Sequence, residues 1–173
     1  MAAPSRGDIY HIEIAHGEAM GHELEGPHWW VVLSITQLNQ SLNLFTAVPL
    51  SSPNNKNNGK PKDEGDFRFF RIRVLQESKT KDQGRTDAVF NGSSIALTEQ
   101  TRTFSTARIT GQQRLGTVDE KALAAIEGGL LWVIGAGIRR QAVPDLTTTP
   151  VISTGRPSMP KEPSKPLPGR PLK

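Results

Sequence analysis

The stretch Gly21-His22-Glu23-Leu24-Glu25-Gly26-Pro27-His28 carries two histidines and two glutamates and runs directly into Trp29-Trp30-Val31-Val32-Leu33-Ser34-Ile35. Imidazole has an ordinary pKa near ~6.5 and exchanges a proton at neutral pH, so His28 can act as base or acid at the mouth of a core strand. A plainer reading is a turn histidine bonded to the backbone, and spacing alone admits both. His11, His16 and His22 show no helical His-to-His spacing and no carboxylate-supported pair, so no metal site and no cofactor is expected. Arg71 and Arg73 fall on one face of an alternating segment, beside a loop carrying Lys56, Lys60 and Lys62. Such a row of cations suits a phosphate backbone, and equally suits a solvated strand face. Trp29 and Trp30 point to opposite faces of a regular strand: one belongs in a core, the other can stack on a base or line a seam between two copies.

Short strands must position these groups. Ile9–Ile14 places apolar residues at 9, 12 and 14, and His28–Ile35 is apolar on both faces, which predicts a strand covered on both sides. Leu44–Ser51 is a further strand, with Pro49 at an edge, a bulge or the strand end because it lacks an N–H. Asp66–Gln76 alternates, Arg68, Phe70, Ile72 and Val74 against Phe67, Phe69, Arg71 and Arg73, and predicts a half-buried strand. Ser93–Thr98 follows a turn at Asn91-Gly92. Residues 15–27 and 52–66 are rich in turn formers and read as long loops, the second as a mobile functional one, while Thr36–Asn43 reads as polar connection. One helix is predicted, capped by Thr117 and Glu120, with Leu123, Ile126, Leu130 and Val133 or Ile134 as its buried stripe and Gly135 and Gly137 as its stop. Gly128 and Gly129 weaken it by about 1 kcal/mol each unless they permit close packing. The fold class is therefore α+β, mainly β: a small antiparallel barrel or strongly bent sheet with a C-terminal amphipathic helix on one side.

Composition narrows the class further. The chain of 173 residues contains no cysteine, which excludes disulfides, thiolate nucleophiles and Cys-based zinc sites. Its net charge of +4 is uneven: residues 1–135 hold 14 Lys+Arg against 15 Asp+Glu, and residues 136–173 hold 7 against 2. Residues 1–137 form the expected barrel domain, and residues 138–173 a basic, Pro-rich tail with polyproline character, too poor in large apolar side chains to offset its ordering entropy. No stretch approaches the roughly 18 apolar residues of a membrane span, and a cytoplasmic protein without membrane contact is expected.

The order of these pieces resembles the MazF/PemK family of toxin endoribonucleases over about residues 5–135. The resemblance is carried by Arg6-Gly7-Asp8-Ile9-Tyr10, by Gly21-His22-Glu23 through Gly26 and Val31–Ile35, by Val48-Pro49-Leu50-Ser51, and by Ser94–Thr103 before Arg108-Ile109. It implies an SH3-like barrel that forms a homodimer, cuts single-stranded RNA at a short motif without metal, and is inhibited by a cognate antitoxin. Ser51 stands at the family's Ser or Thr position, whereas Gly26-Pro27-His28 replaces its Gly-x-Arg-Pro segment, so His28 stands where the family has arginine. The resemblance then implies His28, Ser51 and Arg102 as catalytic residues, while Trp29, Lys56, Arg71 and Arg73 are the candidate RNA-binding residues by type and position. Ser51 also fits as a strand-end hydroxyl, and Arg102 as a tie to a loop or to Glu99. Two other functions share the architecture: a catalytically inactive barrel that binds RNA or a protein partner, and a toxin directed at a protein target.

Overall fold

The computed structural model describes residues 3–136; the Pro-rich tail lies outside the described residues. In chain order the elements are β1 (Asp8–Ile14), β2 (Gly26–Val32), α1 (Thr36–Leu42), β3 (Leu44–Ser51), β4 (Arg71–Val74), β5 (Lys79–Lys81), β6 (Ser94–Leu97), β7 (Arg102–Ser105), β8 (Gly116–Val118) and α2 (Glu120–Val133). All strand pairs are antiparallel, in the order β4-β6-β3-β2-β1-β8-β5 with β7 also paired to β3, and the sheet curls into a nearly closed barrel.

β2 is central, as its apolar run requires: Trp30, Val31 and Val32 are each 0% exposed. Alternation along it feeds two separate cores. Val31 and Leu33 join Ile9, Val48, Leu50 and Ala96 beneath α2, whereas Trp30 and Val32 join Ile12, Ile14, Phe45, Ala47 and Phe104 on the opposite face. Trp30 meets Phe104 edge to face at 4.7 Å and donates its indole N–H to the Ile12 carbonyl at 3.3 Å. Pro49 sits on β3 between the last rung to β7 at Ala47 and the first rung to β6 at Leu50, where a missing N–H breaks neither ladder.

α2 buries Ala122, Leu123 and Ile126, with Leu130 packed alongside; the stripe stops there, because Val133 and Ile134 are 38% and 65% exposed. Truncating Leu123 or Ile126 to alanine would cost about 2–5 kcal/mol. Gly129 is the close-packing glycine: a Cβ there would lie 2.9 Å from Ile72 Cγ1 and 3.3 Å from Thr98 Cγ2. Gly135, at φ +74°, ends the helix in the left-handed region.

Several expectations are corrected. The helix cap is Asp119, whose carboxylate accepts from Ala122 N at 2.7 Å, because Thr117 is committed to β8 opposite Asp8 and Thr80. The alternating segment is not one strand: Gly65–Phe69 forms a 3-10 turn and only Arg71–Val74 is extended. Thr36–Leu42 is a helix, held by Asn39, whose fully buried amide donates to the Pro4 and Ser34 carbonyls. The loop after β3 is a folded hairpin, closed by an Asn54–Pro61 bridge and by backbone bonds from Asn55 to Lys60 and from Lys62 to Pro53.

Candidate functional site

Strand register decides which side chains meet. β2 and β3 pair Trp29 with Leu50, and one step further along that register sets His28 across from Ser51. Directly opposed residues share a face, with Cβ atoms about 5 Å apart. Ser51 in turn pairs with Ile95 on β6, and Ile95 with Arg73 on β4. One row therefore runs from His28 through Ser51 and Ile95 to Arg73 on the face away from α2. In the next row Leu97 pairs with Arg71, and Arg102 stands on the same face opposite Ala47. The mouth of β2 and the end of β3 thus form one rim.

His28 is half-buried, and its Nε2 lies 3.1 Å from the Glu25 carbonyl. A carbonyl only accepts, so Nε2 carries the proton of the neutral ring and Nδ1 keeps a free lone pair. Burial lowers the pKa of His28, with further lowering from the charges of Lys62, His11 and Lys56; the bond to Glu25 opposes this. The ring is thus neutral at pH 7, the state a proton acceptor needs.

Ser51 is engaged by Lys62, which the sequence reading set among the cations of a phosphate-binding groove but not at Ser51. Lys62 Nζ donates to Ser51 Oγ at 2.6 Å and makes a longer contact to Ser52 Oγ at 3.4 Å. Burial, then the charges of Arg71 and Lys56, lower its pKa. Because Ser51 Oγ accepts this bond, its own proton is free to point outward.

The remaining cations are held in place. Arg71 lies 4.3 Å above the Phe67 ring and donates Nε to Glu99 at 2.7 Å, while Arg73 makes a forked pair with Asp63 at 2.9 and 2.7 Å. Arg102 faces Glu23 at 3.6 Å, and its buried Nη1 has no partner. Gln100 pins the glycine-rich loop by bonding Leu24 N and the His22 carbonyl, both at 3.3 Å. Lys56 is exposed on the hairpin. Trp29 is on the other face, half-buried against the core under α2, with its ring 6.3 Å from that of His11. Among the described residues no three His, Asp or Glu side chains cluster as a metal would need, and no helix is long and apolar enough to cross a membrane.

The fold and this rim set the chain beside known proteins. A family model for PemK-like, MazF-like toxins of type II toxin-antitoxin systems matches residues 5–134. Among solved structures, a MazF from Deinococcus radiodurans superposes with TM-score 0.52 at 19% identity, covering 77% of this chain and 97% of that one. An endoribonuclease in complex with its cognate antitoxin from a mycobacterial species gives TM-score 0.46 at 17% identity, covering 78% of this chain and 96% of that one. No curated protein sequence matches. With a model match that spans most of its length and ends where α2 ends, the chain belongs to the PemK-like, MazF-like toxin family.

Proposed function

We propose that the protein is a toxin-type endoribonuclease that cleaves single-stranded RNA at a short motif by transesterification on the rim between β2 and β3. The observation that carries this reading is the ammonium group of Lys62 bonded to Ser51 at the end of β3, next to the pairing of Trp29 with Leu50 that brings the His28 end of β2 to the same rim. His28 Nδ1 takes the proton of the ribose 2′-hydroxyl, the 2′-oxygen bonds to phosphorus, and the bond to the 5′-oxygen breaks, which leaves a 2′,3′-cyclic phosphate and a 5′-hydroxyl. Ser51 donates its free proton to a phosphoryl oxygen. Arg102, facing Glu23, lends positive charge from the loop side, and Arg71, Arg73 and Lys56 carry the flanking phosphates. Trp29 offers a stacking surface only to a strand that reaches round to the His11 side. The family membership supports a homodimer that works in the cytoplasm and a cognate antitoxin whose segment covers the same groove, with single-stranded RNA as substrate and no cofactor.

The test is direct. A long single-stranded RNA is incubated with the protein in EDTA, alongside His28→Ala and Ser51→Ala. Cleavage by the wild type, slowed about 100-fold or more in both variants, supports the reading. RNA left intact by micromolar wild-type protein over hours sinks it, and salt-dependent binding without cutting would instead establish the inactive RNA-binding barrel.

A further inference from the structure

We propose that Lys62 is a catalytic residue of this site, its ammonium placed by Ser51 to stabilise the phosphorane and to protonate the departing 5′-oxygen. The inference rests on the ribonuclease reading above and adds to it the group that the reaction otherwise lacks. Cleavage builds negative charge on the phosphoryl oxygens and on the leaving oxygen. His28 is neutral and spends its free nitrogen on the 2′-proton, so it meets neither demand. Arg71 and Arg73 stand on the same face, but they share their charge with Glu99 and Asp63 and serve the flanking phosphates, not the reacting one. Lys62 differs from both: among the described residues no carboxylate lies within ion-pair distance of it.

Three features deliver Lys62 to the reacting atoms. The Asn54–Pro61 bridge closes the hairpin just before it, and its own N–H bonds the Pro53 carbonyl at 2.9 Å. Its carbonyl accepts from Arg71 Nη1 at 3.5 Å, which ties the same residue to β4. Its ammonium then reaches Ser51 at 2.6 Å, in the row that also holds His28. An ammonium has three N–H groups; one is spent on Ser51 and one makes the long contact to Ser52, which leaves one for substrate. Half-burial and the neighbouring charges of Arg71 and Lys56 make Lys62 a stronger acid than an exposed lysine.

The proton balance closes. His28 gains the proton of the 2′-hydroxyl, the bond between phosphorus and the 5′-oxygen breaks with its electron pair going to oxygen, and that oxygen takes a proton from Lys62. Imidazolium and neutral amine remain, and exchange with solvent returns both to their starting states.

A substrate with sulfur at the bridging 5′-position separates this role from a structural one, because a thiolate leaves without being protonated. Lys62→Ala should lose about 100-fold or more on ordinary RNA and come within about 10-fold of wild type on the 5′-thio substrate. Lys62→Gln takes its place if the melting curve shows that the alanine variant is unfolded. Equal impairment on both substrates, or loss below about threefold on ordinary RNA, overturns the proposal while the wild-type activity stands. RNA left intact by the wild type removes the ribonuclease reading and this role together.

Discussion

Among the described residues two lysines, Lys62 and Lys79, bond to serine hydroxyls, and they are built differently. Lys79 donates to the carbonyls of Val89 and Gly92 and to Ser94 Oγ, so that all three of its N–H groups are satisfied inside the fold, where it is 8% exposed. Lys62 donates at short range to Ser51 alone and lies at the rim. Burial lowers the pKa of both, that of Lys79 to about 8. The lowered pKa therefore does not separate structure from function; donor saturation does. A saturated ammonium stitches β5 to the turn before β6, whereas an unsaturated one has a bond left for a ligand.

Exchanging the serines breaks this contrast most sharply. Ser51→Ala should cut RNA cleavage by about 100-fold while moving the melting temperature by less than about 2 °C, and Ser94→Ala should lower the melting temperature with cleavage per folded molecule unchanged. If both variants lose activity in parallel with stability, the two pairs are the same kind of object. Lys79→Ala comes next. It leaves the Val89 and Gly92 carbonyls without a donor and should cost about 2–4 kcal/mol in urea unfolding, with m unchanged.

The pH dependence sharpens the contrast further. The unfolded chain holds the Lys79 proton up to about 10.5, and the folded chain releases it near about 8. Between those values the unfolded state binds more protons, so stability rises with pH, by an amount on the order of 2 kcal/mol. Tyr10 acts in the opposite sense. Burial, then the charge of Asp8, holds its phenol pKa at about 12, while the unfolded phenol ionises near 10, so stability falls from there. A stability maximum near pH 10, lost in Lys79→Met, is the expected result of urea titrations across pH 7 to 12. For cleavage, the acid limb of kcat/KM should fall below the ordinary histidine value of about 6.5, because the base must be neutral and burial favours its neutral form. An acid limb above 7 would exclude His28 as that base. Smallest of all, Arg73→Ala removes an exposed forked pair and should change stability by less than about 1 kcal/mol while reducing the salt slope of RNA binding.

Where hydrophobic pattern alone decides structure, the sequence was readable. β2 was legible because Trp30, Val31 and Val32 admit only a covered strand, and the Leu123, Ile126, Leu130 stripe announced α2. α1 was not, because what it buries is the amide of Asn39, while Leu38 and Leu42 face solvent and leave no apolar period to detect. The alternation of Phe and Arg through 67–73 misled because a 3-10 turn and a strand both fit so short a pattern, and Gly65 at φ +60° settled it in favour of the turn. At the cap, Thr117 and Asp119 are both suitable residues, and strand pairing claimed the first. Of the candidate site, the order of strands was legible enough to expect the β2 mouth beside the end of β3, and the roles of His28 and Ser51 there remain the proposal made above. Lys62 stood out only as one cation of the groove beside Arg71 and Arg73, since its bond to Ser51 exists only once the Asn54–Pro61 bridge has folded the hairpin back.

Gly129 gives a handle on the rim from behind. With no side chain of its own, it lets α2 rest directly on Ile72, whose neighbours Arg71 and Arg73 stand on the far side of the same strand. A methyl group added there would work as a shim, tilting β4 by a few tenths of an ångström and changing the gap between its two arginines and the serine without altering any residue that an RNA strand touches. If the proposed cleavage holds, its preference among RNA sites should be adjustable from the helix, on the opposite side of β4 from the rim.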